Sequence, residues 1–268
     1  MNLRRNETYV VAVEESTDDV TGYTVIAAVA VPARWVRPAH AYWHRHLQRV
    51  GIPRDAELHA TDLAAGRGVV RDISPRFPCP PGVSRRDHNK RIGRALIRRS
   101  LRRVASINEI RVAMFGIPTP RIPVAYAEAY AALGAGLALR ANSRGTARIG
   151  HVLIDGRDRK LQRLHYESAY LLYRSPRIPG RLRNRREWIM GGATLAESDL
   201  VELVQMADLV AFSGLKAHLG HAEMGGYARG DLIDYASTCW NRNIDMTQAC
   251  LAASVTVFGG TALAHAAP

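Results

Sequence analysis

The sequence predicts an α/β fold, a mixed five-stranded sheet flanked by helices, on three observations. Two β-rich runs near the N-terminus, Thr8–Val13 and Tyr23–Val31, are separated by turn chemistry at Asp18-Asp19 and Thr21-Gly22 and read as an antiparallel hairpin. Further strand-like runs alternate with helical segments, which implies strands joined by crossovers. The segment Glu202–Phe212 carries apolar residues at Leu203, Val204, Met206, Ala207, Leu209 and Val210, dense enough for a helix mostly covered by protein.

Each element has its own local reason. The first strand ends at Val13, with Glu14-Glu15-Ser16 directly after it, read either as a solvated strand end or as functional acids. Pro32 to Val50 reads as a helix bearing Trp35, Tyr42 and Trp43. Its His40, His44 and His46 lack an HExxH arrangement and are expected on a polar helix face. Glu57, His59 and Asp62 share the short segment Glu57–Leu63. Residues 66–84, rich in Pro and Gly, read as a loop. Asp87–Ala105 is a strongly basic helix, with Ile92, Leu96, Ile97, Leu101 and Val104 on its buried side. Its arginines form either a solvated face or a face that tracks phosphates.

Glu109–Ile117 is a third strand, bounded by Pro118 and Pro120. A small-residue helix over 124–140 follows, then a fourth strand, His151–Asp155, ending in an acid. A helix over 159–174 leads to an Arg/Pro/Gly loop over 176–186. Trp188–Leu195 is the fifth strand. The next helix opens near Ser198-Asp199, where Asp199 and Glu202 have capping-box spacing. One domain over residues 1–215 is expected, with loop insertions near 66–86 and 174–186 and a C-terminal helical extension and tail over 216–268.

Bulk composition narrows the partners. The 268 residues carry 37 Lys plus Arg against 24 Asp plus Glu, a formal charge of +13. A pI near 10.3 with clustered arginines points to a polyanion, and nucleic acid is the usual one. Cys79, Cys239 and Cys250 form no CxxC pair, so neither a disulfide framework nor a zinc ribbon is supported. The N-terminal apolar run is too short for a signal peptide, and the tail is too weakly apolar to span a bilayer. A cytoplasmic protein is expected.

Asp208 stands out. It shares a helix face with Val201, Val204 and Ala211, where an unpaired charge costs several kcal/mol. It must meet an arginine, backbone donors or a metal, and a structural salt bridge is the plainest option. Other acids fall at Glu14, at Glu57 and at the end of the fourth strand, Asp155. Converging carboxylates repel one another and are tolerated mainly around divalent cations, for which oxygen ligands suit Mg²⁺ or Mn²⁺.

The Glu14-Glu15-Ser16 strand end, Glu57-Leu58-His59, Ile154-Asp155 and Gln205-Met206-Ala207-Asp208-Leu209 together resemble the domain-of-unknown-function 3800 family over roughly residues 8–215. The resemblance implies a ribonuclease H-like fold in which Glu14, Glu57, Asp155 and Asp208 hold two metal ions, with Ser16 and His59 as polar support. That family usually has Asp at the first position, and Glu14 is longer by one methylene.

The expected function is therefore a Mg²⁺- or Mn²⁺-dependent nuclease acting on RNA or DNA, with two ions about 3.5–4 Å apart. Arg94, Arg98 and Arg102 of the basic helix and Arg181, Arg183 and Arg185 of the later loop are the candidate nucleic-acid contacts. A catalytically silent nucleic-acid-binding or scaffold protein of the same fold is the alternative. A metal-dependent enzyme acting on a small phosphorylated molecule is a third.

Overall fold

The computed structural model describes residues 7–53, 56–107, 109–117, 148–155, 189–196, 202–218 and 256–257. The expected helices over 124–140 and 159–174, the Asp199 cap, and the loop bearing Arg181, Arg183 and Arg185 lie outside these residues.

Strands β1 (Glu7–Asp18) and β2 (Tyr23–Pro32) pair antiparallel, from Tyr9 opposite Pro32 to Asp18 opposite Tyr23. The turn closes on one aspartate. Asp18 Oδ2 accepts the Thr21 N–H at 2.9 Å and the Thr21 hydroxyl at 2.6 Å. Gly22, at φ +66°, donates its N–H to the Asp18 carbonyl at 2.9 Å.

The hairpin corrects one expectation. β1 does not stop at Val13 but runs on through Glu14, Glu15 and Ser16, which pair with Ala27, Ile26 and Val25. β2 supplies a ladder partner for each of them, and this outweighs the poor strand preference of glutamate.

β3 (Arg111–Ile117) pairs antiparallel with β2, while β4 (Arg148–Asp155) runs parallel to β1 and β5 (Ile189–Ala196) parallel to β4. A two-residue strand, β6 (Thr256–Val257), pairs with Phe115 and Gly116 of β3. Among the described residues the order is β5-β4-β1-β2-β3-β6, six strands where five were expected. The sixth comes from the tail, whose β-branched Thr256 and Val257 pair along part of β3's outer edge.

Five α-helices are described: α1 (Val36–Arg49), α2 (Ala60–Ala65), α3 (Val69–Ile73), α4 (Arg85–Ala105) and α5 (Glu202–His218). The stretch expected as a loop over 66–84 contains α3 and a 3₁₀ turn, Ser74–Arg76. Val69, Val70 and Ile73 are buried, and this short apolar face folds the segment despite its glycines and prolines. α4 begins at a reciprocal cap. Ser84 Oγ accepts the Asp87 N–H at 3.1 Å and donates to Asp87 Oδ2 at 2.7 Å. Among the described residues, no helix is long and apolar enough to cross a membrane.

The main core lies on one face of the sheet. Ala12, Val25, Ala27, Val29 and Val31 pack with Trp43 and Leu47 of α1, Leu63 of α2, Leu96 and Ile97 of α4, and the apolar side of α5. α5 rests directly on β1 and β2. Alternate residues Val11, Val13, Ile26 and Ala28 point to the other face and are buried as well. Burial on both faces explains why these strands read as almost unbroken apolar runs.

α2 and α4 approach closely at Gly93. A Cβ built there would lie 1.8 Å from the Leu63 carbonyl oxygen, a main-chain atom that cannot rotate aside. Gly93→Ala is expected to destabilise the fold by about 3 kcal/mol in urea denaturation. Gly82→Ala meets nothing within 4 Å, though its φ is +76°. It should cost only about 1–2 kcal/mol, from backbone conformation. Equal losses in the two variants would count against the close approach.

Candidate carboxylate site

The neighbours of Asp208 are set by α5, which presents it to the start of α2. Its Oδ2 accepts the Ala60 N–H at 2.8 Å. Ala60 is the first residue of α2 and is fully buried, and the preceding His59 makes no side-chain cap. Asp208 thus supplies, from across the fold, the acceptor a cap residue would normally provide. Its negative charge at a helix N-terminus is also favourable. The expected burden of a carboxylate on an apolar face is met by a backbone donor.

Glu57 lies three residues before Ala60. Its Oε1 is 3.1 Å from His59 Nε2, so the acid and the imidazole of this segment are paired. Glu14 lies on the same sheet face as Ala12, because side chains alternate along a strand, and opposite Ala27 of β2. That is the face covered by α5. Pairing of β1 with β4 ends at Ala12 opposite Leu153. Continuing that register by two residues brings Glu14 level with position 155, the last residue of β4. The side chain of Asp155 is outside the described residues. Ser16 follows two residues after Glu14 on the same face and is half-buried.

Four predicted acid positions are therefore drawn from β1, the segment before α2, the end of β4, and α5. Glu14, Glu57 and Asp208 make further interactions within the fold. Among the described residues, no group of three or more His, Cys, Asp or Glu side chains is arranged to hold a metal ion.

A second acid on α5 has a role that local spacing did not reveal. Glu202 is buried, and its two oxygens meet two imidazoles of α1. Oε2 lies 2.8 Å from His40 Nδ1, and Oε1 contacts His44 Nε2. The carboxylate is thus shared by two imidazoles and ties the start of α5 to α1. Burial opposes ionisation of Glu202. The hydrogen bond from His40, its own backbone N–H and the charges of His40 and His44 outweigh this and hold the carboxyl below its usual range.

This corrects the expectation of a polar histidine face on α1. His40 and His44 clamp α5, while His46 is buried with its Nε2 3.0 Å from Ser100 Oγ of α4. The signal was the four-residue spacing of His40 and His44, which sets both on one side of a helix.

The candidate arginines of α4 divide. Arg102 is exposed, whereas Arg94 and Arg98 are half-buried.

The histidine buried under α4 makes the fold sensitive to acid. Burial, then the nearby charges of Arg103, Arg99 and Arg49, lower the pKa of His46 from 6.5 to about 4. Between these values the unfolded chain binds the proton and the folded chain does not. The stabilising effect is complete above pH 6.5 and is lost progressively as the pH falls towards 4. His46→Gln should flatten the dependence of the urea midpoint on pH across this window. An unchanged slope would show that His46 does not titrate in this way.

Compared with known proteins, the chain matches no family model, no curated protein and no solved structure.

Proposed function

We propose that this chain is a metal-dependent nuclease of ribonuclease H-like architecture, hydrolysing phosphodiester bonds in RNA or DNA with Glu14, Glu57, Asp155 and Asp208. What supports this is that the elements bearing the four acids neighbour one another. Glu14 and position 155 are level on neighbouring strands, α5 covers that face, and Asp208 of α5 is bonded to the segment that bears Glu57. Further support comes from the mixed sheet, in which an antiparallel hairpin is extended on the β1 side by parallel strands. The resemblance to the domain-of-unknown-function 3800 family rests on the four short motifs alone.

All four side chains offer carboxylate oxygens, a donor set suited to Mg²⁺ or Mn²⁺ and unsuited to softer metals. Such ions, when bound, activate water and stabilise the leaving oxygen of a phosphodiester. The chain's own contribution is positional. The Ala60 N–H fixes one oxygen of Asp208 and restricts the rotation of its carboxylate. His59, 3.1 Å from Glu57 Oε1, restrains the second acid. The excess of arginine on the surface attracts the polyanion to an acidic centre that would otherwise repel it.

A specific observation favours a second reading. Asp208 already has a structural use as the cap of α2, which would keep it in a protein that binds nucleic acid without cutting it. Two substitutions separate the readings. Asp208→Ala removes the acceptor of a buried N–H and should cost about 1–3 kcal/mol of stability. Asp208→Asn retains an oxygen for that N–H and should keep a near-native urea midpoint. In a nuclease, Asp208→Asn and Asp155→Ala both lose Mn²⁺ binding by calorimetry and metal-dependent cleavage of RNA, DNA or hybrid. A stable Asp208→Asn protein that binds Mn²⁺ and cleaves like the wild type would overturn the metal role of Asp208. A wild type without Mn²⁺ binding or cleavage, tested with nucleic acid present, would leave the silent binding protein.

A further inference from the structure

We infer that α1 and α4 together form a docking face for single-stranded nucleic acid, built on Tyr42, Arg45, Arg49, Arg99 and Arg103. The inference rests on the polyanion partner of the proposed function and not on cleavage.

Tyr42 is 39% exposed, one of few large apolar side chains so exposed among the described residues. Two guanidinium groups rest on its ring, Arg45 Cζ at 4.6 Å and Arg103 Cζ at 4.8 Å from the centroid. Stacking of this kind occupies a flat face of a guanidinium and leaves its in-plane N–H groups to bond elsewhere, as Arg103 Nη1 does to Ser106 Oγ at 3.3 Å. Those donors match the paired oxygens of a phosphate. The ring thus restrains two guanidinium groups, one from α1 and one from α4, and lowers the entropic cost of engaging a phosphate.

The surrounding charge is one-sided. Arg45 and Arg49 are one turn apart on α1, and Arg99 and Arg103 one turn apart on α4. Arg49, Arg99 and Arg103 all lie close enough to His46, where α1 and α4 meet, to depress its basicity. α1 contains no Asp or Glu, and α4 only Asp87 in its first turn. Among the described residues none of these four arginines is paired with a carboxylate. Four like charges gathered in this way repel one another, and a run of phosphates relieves the repulsion.

The aromatic ring selects among polyanions. A guanidinium stacked on a partly exposed tyrosine offers its outer flat face as a platform for an unpaired base, which duplex does not present. A bilayer would instead favour several exposed apolar side chains beside the charge. Besides Tyr42, the exposed large apolar residues among those described are Val20, in the β1–β2 turn, and Phe77, beyond α3.

The test is fluorescence anisotropy of a labelled single-stranded oligonucleotide with the full chain in EDTA, over a range of salt. Arg45→Ala/Arg103→Ala should weaken binding at least about tenfold and reduce the log–log salt slope by about 1.4, from two lost phosphate contacts. Tyr42→Leu should weaken binding by roughly tenfold with a smaller change in slope. Arg71→Ala/Arg86→Ala, at two exposed arginines elsewhere, should stay within about twofold. Thermal melts confirm folding of each variant.

Equal losses in the two double variants, or a wild type that does not bind, would overturn the inference. So would variants that lose binding to phosphatidylserine vesicles while still holding the oligonucleotide. Wild-type binding that depends on Arg45 and Arg103, without cleavage in Mn²⁺, supports this face and removes the nuclease chemistry. Wild-type cleavage with unchanged binding by Arg45→Ala/Arg103→Ala does the reverse.

Discussion

Two carboxylates on one buried helix fix the arrangement around it. α5 is apolar enough to lie across β1 and β2, yet it carries Glu202 and Asp208 into that contact. A buried charge without partners costs several kcal/mol, so each acid constrains another element. Glu202 draws the His40 and His44 side of α1 against the first turn of α5. Asp208 fixes the start of α2 through the Ala60 N–H. α4 then closes over both helices, through Ser100 on His46 and through Gly93 on Leu63. Apolar contact alone would tolerate α5 sliding along the strands. The two acids allow one position.

The same arrangement separates the charges. Glu14 lies at the sheet face and Glu202 and Asp208 on α5, while Arg45, Arg49, Arg99 and Arg102 are exposed on α1 and α4. A strongly basic protein attracts polyanions over a long range, but a candidate cleavage centre needs negative ligands at short range. Giving the acids of α5 backbone and imidazole partners allows both in one domain. His46 shows how tightly the two zones abut, since three arginines of the outer face depress the basicity of a ring buried beneath them.

Much of the local structure was legible because it depends on short-range periodicity. The hairpin, the basic helix and the apolar helix over Glu202–Phe212 follow from residue spacing, although the start of α4 at Ser84 was not read. Asp208 was conspicuous for the same reason, as an acid that breaks an apolar stripe. Its partner was not legible, because a main-chain N–H carries no sequence signature. Glu202 was more misleading. Its spacing from Asp199 suggests a capping box, yet its oxygens are committed to two histidines far upstream in the chain. The continuation of β1 through Glu14 depends on β2 lying alongside, and α3 is hidden by the turn-forming residues around it. In each case the deciding partner is remote in sequence.

The bond from Ala60 to Asp208 spans 148 residues, and this has a consequence for how the protein is made. As the chain leaves the ribosome, the hairpin and α1 to α4 emerge well before α5 exists. Until then the apolar face containing Ala12, Ala27 and Val29 lacks its cover, and α2 lacks its cap. This early half is rich in non-local contacts still to be made, and it presents an adhesive sheet surface during synthesis. The helix that completes the candidate site is also the one that ends this exposure, so the site and the solubility of the nascent chain arrive together.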